Sequence, residues 1–292
     1  MGSQPGDHVV AAFVPCCGAC EPCESGRPAL CEPGLQANTA GTLLSGACRL
    51  RRDGESLHHH LGVSAFAEYA TVSRRSLVQV DAALPFEAAA LFGCAVMTGV
   101  GAVLNTAQLP EGSRVAVVGL GGVGLAALLG ARTRRPAVLV ALDLSDKKLA
   151  LARSLGATHT CNAGAPETVA EVKELTRGGV DFAFEMAGSV KAMDLAYRIT
   201  RRGGTTVSAG LSHPQHLFSI PHVGLVAEER TIKGSYLGGC NPARDIPRFV
   251  EMYRSGALPV DKLLSERIGL DAINEGFDRL AQGRTVRQIV RL

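Results

Sequence analysis

Apolar and polar positions change rhythm along this chain near residue 96. Before that point apolar runs are short and separated by turn residues. Residues 9–14 (VVAAFV) read as a strand, and Phe66–Val72 and Leu77–Val80 alternate as short strands do. Residues 41–62 show no period and are expected to be irregular. Pro85 stands where a helix tolerates proline, so FEAAALF opens a helix. After residue 96, continuous apolar strands alternate with helical stretches, the βαβ rhythm of a parallel sheet covered on both faces. RVAVVG, AVLVALD, VDFAFEMAG and GGTTVSAG read as strands. LGGVGLAALLGAR and SDKKLALARSLG read as helices, the second with Ser145 as N-cap and Gly156 as its stop. Helices near 244–254 and 271–281 and the terminal strand VRQIVRL complete the pattern. No internal repeat or low-complexity tract interrupts it.

The strand starting at Val9 needs a pairing partner, and nothing upstream can supply one. On this reading the chain begins in the middle of a fold.

The turn after RVAVV carries chemistry. Gly119-Leu120-Gly121-Gly122-Val123-Gly124 fits G-x-G-x-x-G between a strand and a helix, and Asp143 ends the next strand at the expected distance. Gly119 permits the tight turn, Gly121 lets backbone approach a pyrophosphate, and Gly124 allows close helix–strand packing. The N–H groups of Gly122 and Val123 open a helix whose positive end suits phosphate. Asp143 would accept from both ribose hydroxyls and repel a 2′-phosphate, favouring NAD over NADP. Lys148 could reach the ribose or a phosphate, or could be a solvated helix lysine.

Four cysteines in fifteen residues form a second motif. Cys17, Cys20, Cys23 and Cys31 follow C-x2-C-x2-C-x7-C in a loop punctuated by proline and glycine. Four thiolates at about 2.3 Å around zinc make a closed structural site. An iron–sulfur cluster, disulfides and free thiols are the alternatives, although the spacing departs from the usual ferredoxin runs. Cys16 is a ligand-swapper or a bystander.

Bulk properties narrow the field. A length of 292 residues suits two compact domains. A net charge of +3 gives no nucleic-acid footprint. No uninterrupted run of eighteen apolar residues exists, which argues against a membrane span, and the N-terminus lacks a signal pattern. The expected compartment is the cytoplasm, where reduced thiols can hold metal.

Taken together these pieces resemble the zinc-dependent medium-chain alcohol dehydrogenases. The cysteine ladder matches that family's structural zinc lobe. GCAVMTGVGAV, residues 93–103, matches the stretch carrying one catalytic-zinc cysteine, here Cys94, with Thr98 at the position that packs near the nicotinamide. HHHLGVSAFAEY and AINEGFDRL match further landmarks, and Arg287 in VRQIVRL matches an arginine that reaches the pyrophosphate. The resemblance implies an α/β fold: a Rossmann-type doubly wound parallel sheet at 96–236, an incomplete GroES-like β-rich catalytic domain with the zinc lobe at 1–95, and a return to that domain at 237–292. It implies hydride transfer from an alcohol to NAD, zinc as Lewis acid, and a homo-oligomer, dimer or tetramer, with a small alcohol or aldehyde as substrate.

One departure from the family stands out. Family members begin with further sequence carrying a first catalytic-zinc cysteine, a hydroxyl of the proton relay, and a Gly-His-Glu motif whose histidine is another ligand. None is present here, and Cys94 is the one catalytic-zinc ligand left. His58, His59 and His60 are the nearest stand-ins, but consecutive residues on an extended stretch alternate faces and cannot converge. Cys48, Cys161 and Cys240 have no partner spacing and read as small buried hydrophobes. His8, His159, His213, His216 and His222 read as surface or polar-core residues. The family branch acting on a formaldehyde–thiol adduct places a basic residue shortly after the fourth ladder cysteine. CEPGLQANTA has none, which points to a general alcohol or aldehyde oxidoreductase. The expectation is an impaired enzyme with exposed apolar surface and lowered stability. A non-catalytic NAD-binding protein of the same fold is the alternative. A zinc-independent quinone reductase is disfavoured by Cys94 and the ladder.

Overall fold

A computed structural model describes residues 4–292. The chain divides into two compact units. The first runs through Met97 and includes Cys240–Ser255 and Val260–Leu292; the second comprises Thr98–Gly239 and Gly256–Pro259.

The second unit is built on six parallel strands. Their order is Thr231–Gly234, Thr200–Ser208, Val180–Glu185, Arg114–Val118, Val138–Asp143, His159–Asn162. The chain enters at the central strand Arg114–Val118, builds outward in one direction, then crosses and builds in the other. This is the Rossmann order, with its switch point between Arg114–Val118 and Val180–Glu185. The central strands are apolar on both faces because helices cover both. Val115, Val117, Leu139, Ala141 and Phe184 are completely buried. On one face Val140, Leu142, Ala183, Ala196 and Ile199 share a core. Each valine, leucine, isoleucine or phenylalanine so buried contributes on the order of 1.5–3 kcal/mol.

At the amino-terminal edge of this sheet, Asp181 joins two neighbouring strands. It accepts from the Arg114 guanidinium at 2.8 and 3.1 Å and from the Arg114 N–H at 2.7 Å, and it pairs with Arg201 at 2.5 Å. Burial pushes the Asp181 carboxyl up, but the bonds from Arg114 and Arg201 together outweigh it and hold the group well below the usual carboxylate range.

The first unit holds short two-stranded ladders. Val9–Ala11 is a strand, shorter than the expected 9–14, and it pairs antiparallel with Leu77–Gln79. The partner that seemed missing upstream comes from downstream in the chain. Gln288–Arg291 pairs in parallel with Glu266–Gly269. Two expectations fail here. Residues 41–62 are not wholly irregular, since Leu50–Arg52 pairs with Glu55–Leu57 across Asp53-Gly54. Both turn residues take left-handed φ, 52° and 84°, as a type I′ hairpin turn requires. Phe66–Val72, by contrast, forms no strand. Phe66 instead packs edge-on against Phe277 at 5.8 Å.

The 21 residues Phe86–Thr106 are helical, with Pro85 as N-cap. By length and composition this helix could cross a bilayer, although no uninterrupted apolar run marks it in the sequence. Its most apolar window is 78% buried within the protein, so its apolar faces serve a core. The first unit leaves Phe66, Phe86, Phe277 and Leu292 more than half exposed.

Candidate dinucleotide and metal sites

The glycine turn closes the strand Arg114–Val118 and opens the helix Gly122–Arg132. Gly119 has φ +92°, and a Cβ there would lie 2.7 Å from the Ala187 Cβ. A Cβ on Gly124 would lie 1.8 Å from the Gly119 carbonyl oxygen. Folding therefore demands both of these glycines. Gly121 differs, because a Cβ there would meet nothing within 4 Å. The protein's own packing gives no reason for glycine at 121, which fits a position kept open for a ligand. Gly121 is the helix N-cap and no side chain caps the helix. The N–H groups at its first turn, including those of Gly122 and Val123, can meet an anion.

Asp143 ends the neighbouring strand. Its carboxylate accepts from the Leu120 N–H at 2.7 Å and the Ser145 N–H at 3.0 Å, which ties the ribose-binding candidate to the glycine turn. The Lys148 ammonium is 3.9 Å from Asp143 and largely shielded, so it is not the solvated lysine that sequence alone allowed. These residues form one constellation at the carboxyl ends of the strands and fit a dinucleotide. Thr98 is buried in the same unit, on the helix Met97–Gly101.

The cysteine ladder folds as a compact knot. Sγ atoms of Cys17, Cys20, Cys23 and Cys31 all lie within 4.8 Å of one another, with Cys20 and Cys31 at 3.9 Å. A zinc tetrahedron with bonds of about 2.3 Å has edges of about 3.8 Å. A disulfide needs sulfurs about 2.05 Å apart, and all nine cysteines are free. Backbone N–H groups point at the sulfurs as they do at thiolates. Cys17 N–H donates to Cys31 at 3.1 Å, Ala19 and Cys20 donate to Cys17 at 3.4 and 3.3 Å, and Gly34 donates to Cys31 at 3.3 Å. Cys31 is also the N-cap of the helix Glu32–Ala40, whose positive end favours a thiolate. The Ala19 N–H holds the Cys17 thiol down at about 6, while burial pushes Cys23 up to about 12 and raises Cys31. Donor set and spacing fit one tetrahedral zinc. Cys16 stays outside the knot, its thiol turned to the Arg75 carbonyl at 3.9 Å.

Cys94 has different surroundings. It lies in a π-turn, Phe92–Val96, inside the long helix. Such turns are frequent at functional sites. Gly93 beside it is required by close approach, since a Cβ would lie 2.4 Å from the Ala11 carbonyl. The Cys94 sulfur opens into a cavity of about 290 Å³ lined by Ala65, Phe66, Leu91, Arg287 and Leu292. Burial raises the thiol, and the positive charge of the nearby Arg287 guanidinium opposes that rise. Arg287, which the resemblance places at the pyrophosphate, lines the same cavity as Cys94. Among the described residues no second set of three metal-ligating side chains exists. The residues present around Cys94 do not fit a catalytic zinc.

The histidine triplet alternates as extended chain dictates. His58 and His60 are exposed, while His59 is 2% exposed and accepts from the Arg49 N–H at 3.0 Å. Cys161 and Cys240 are buried among apolar neighbours, and Cys48 is half-buried.

Residues 1–82 match the family described as alcohol dehydrogenase GroES-like domain, and residues 122–255 match the zinc-binding dehydrogenase family. The alcohol dehydrogenase class-3 of Drosophila melanogaster is 37% identical over 296 residues, covering 99% of this chain and 77% of the relative. The chain belongs to the zinc-dependent medium-chain alcohol dehydrogenase family. Solved structures agree with that membership. The benzyl alcohol dehydrogenase of Acinetobacter calcoaceticus superposes with a TM-score of 0.91 at 30% identity, covering 100% of this chain and 79% of the other. A zinc-binding alcohol dehydrogenase domain protein from Burkholderia ambifaria reaches 0.94 at 32% identity, with the same coverages. A zinc-binding dehydrogenase from Sinorhizobium meliloti, solved bound to NADP, reaches 0.79 at 25% identity, covering 100% and 78%. Family members are oxidoreductases that use a nucleotide cofactor.

Proposed function

We propose that this chain is an NAD-binding, zinc-containing oxidoreductase of alcohols, and that alcohol turnover by its described residues is impaired. The observation that supports NAD binding is the open backbone at Gly121 beside Asp143. Gly121–Val123 would hold the pyrophosphate by backbone N–H groups, and Asp143 would hold the ribose and repel a 2′-phosphate. When bound, NAD supplies the hydride acceptor. Cys17, Cys20, Cys23 and Cys31 would hold a structural zinc that braces the loop and takes no part in chemistry. The observation that supports impairment is Cys94, a single thiol against an arginine where catalytic zinc sites need about three protein ligands. That same observation favours a second reading, a cofactor-binding protein without alcohol turnover.

Self-association belongs to the same proposal. The sheet's edge strand Thr231–Gly234 is exposed along its length, and Leu211, Leu217, Val223 and Val226 of the same unit are exposed. Unpaired edges and apolar side chains of this kind favour association.

The test combines zinc analysis, NADH binding by fluorescence, and alcohol-dependent reduction of NAD on the purified 292-residue chain. One zinc per chain, NADH binding and little turnover are expected. Two zincs with brisk turnover reject the impairment, and no NADH binding rejects the cofactor assignment. Light scattering reads the oligomer.

A further inference from the structure

Glu185 ends the strand on the far side of the switch point from Asp143, in register with Val118 on one neighbour and Ser208 on the other. It is 1% exposed. Its Oε1 accepts from the backbone N–H groups of Ala187 at 2.8 Å and Gly188 at 2.6 Å, and its Oε2 accepts from the Ser208 hydroxyl at 2.7 Å. All three donors are neutral. The Glu185 carbonyl also accepts from Ala209 at 3.0 Å. One residue therefore binds together the two loops that leave the carboxyl ends of these strands. The loops touch at two glycines. A Cβ on Gly210 would lie 2.2 Å from the Gly188 nitrogen and 2.6 Å from Glu185 Oε2. Ala187, held by Glu185, is also the residue packed on Gly119 of the phosphate turn.

A dinucleotide lies across the carboxyl edge with one mononucleotide half on each side of the switch point. Asp143 assigns the adenosine ribose to its own side. The half bearing Glu185 then faces the nicotinamide. The oxidised nicotinamide ring is cationic and the reduced ring is neutral. A buried carboxylate met only by neutral donors keeps its field, because little water screens it.

We propose that Glu185 positions the two loops flooring the nicotinamide half of the crevice, and that its buried charge biases the site towards the oxidised cofactor over the reduced one. This rests on the NAD reading above and goes beyond it by naming a residue that sets the balance between the two redox forms.

Glu185→Gln separates charge from geometry. The amide oxygen can still accept from Ala187 and Gly188, and its NH2 can donate to Ser208. NADH affinity is read by fluorescence titration and NAD+ affinity by competition against NADH, with a thermal melt beside each. For Glu185→Gln, NAD+ affinity is expected to fall about tenfold relative to NADH affinity. A ratio within about twofold of wild type overturns the charge proposal. Ser208→Ala keeps the carboxylate and removes one donor. It should weaken both forms by a similar factor and leave their ratio where wild type has it. A ratio moving as far in Ser208→Ala as in Glu185→Gln would show that geometry, not charge, is read, and would overturn the bias. Should Glu185→Gln not fold, unchanged affinities in Ser208→Ala still overturn the positioning role. Failure of wild type to bind NADH at all rejects the cofactor assignment instead, and is distinguishable from each of these.

Discussion

The ladder and Cys94, the two metal positions that the resemblance implies, sit in opposite surroundings. In the ladder, four thiols from one short stretch lie within 4.8 Å, with four backbone N–H···S bonds on Cys17 and Cys31. At Cys94, one thiol stands in an apolar cavity against a guanidinium. A cysteine becomes a metal ligand through its neighbours, and here one region supplies them by local turns while the other does not. The glycine turn resembles the ladder in this respect, since every part of it comes from one strand–turn–helix and the strand beside it.

The largest expected effect falls on that turn, and it divides fold from ligand. Gly124→Val places side-chain atoms on the Gly119 carbonyl, which cannot move without breaking the strand end. Overpacking of this kind costs about 3 kcal/mol or more. The melting temperature should fall by roughly 6–12 °C, and NADH binding should vanish with it. Gly121→Ala has room and should leave the melt within about 2 °C, yet weaken NADH at least tenfold, about 1.4 kcal/mol, because the methyl stands where phosphate approaches. Equal effects of the two substitutions on the melt would remove the distinction between a glycine kept for packing and one kept for a ligand.

Next in size is metal removal. A strong chelator should strip the ladder's zinc and destabilise the first unit by several kcal/mol, because the knot has few apolar contacts of its own and folding is coupled to the metal. Calorimetry with and without chelator checks this, and a melt unchanged by complete zinc loss would mean the knot closes without metal.

Legibility followed the same local–distant division. Ladder, glycine turn and Asp143 were readable because each lies in a single stretch or at a fixed strand–helix spacing. The strand partner of Val9–Ala11 was not, since Leu77–Gln79 lies almost seventy residues downstream and leaves no local mark. Nor was the shared cavity of Cys94 and Arg287, which brings together a helix and the residue before the last strand. The hairpin at Asp53-Gly54 does carry a local signal, an Asp-Gly pair between Leu50–Arg52 and Glu55–Leu57. Phe66–Val72 shows the reverse, alternation without a partner. Glu185 was visible only as one letter within VDFAFEMAG, because its three donors come from the loop after its own strand and from the end of the next strand.

The Asp181 cluster gives an intermediate effect with a pH signature. Its folded value lies below the unfolded value of about 3.9, so its stabilisation is present above about pH 4 and is lost as pH falls through the folded value. Asp181→Asn should cost about 2 kcal/mol at neutral pH, leaving Arg114 and Arg201 without their carboxylate. The gap between variant and wild type should narrow in acid. A gap that stays constant down to pH 2 would show that packing, not charge, carries the cluster.

The smallest expected effect is the sharpest test of the comparison. Cys94→Ser should leave zinc content where wild type has it, because among the described residues no other ligand converges on Cys94, and should shift the melt by under about 2 °C. Cys31→Ser removes a sulfur that accepts two backbone N–H bonds and caps a helix, and should lower both zinc content and melting temperature. Elemental analysis after dialysis reads both variants. Loss of metal on Cys94→Ser, with the ladder cysteines intact, would mean that Cys94 has ligands these surroundings do not reveal, and the contrast between the two cysteine regions would fall.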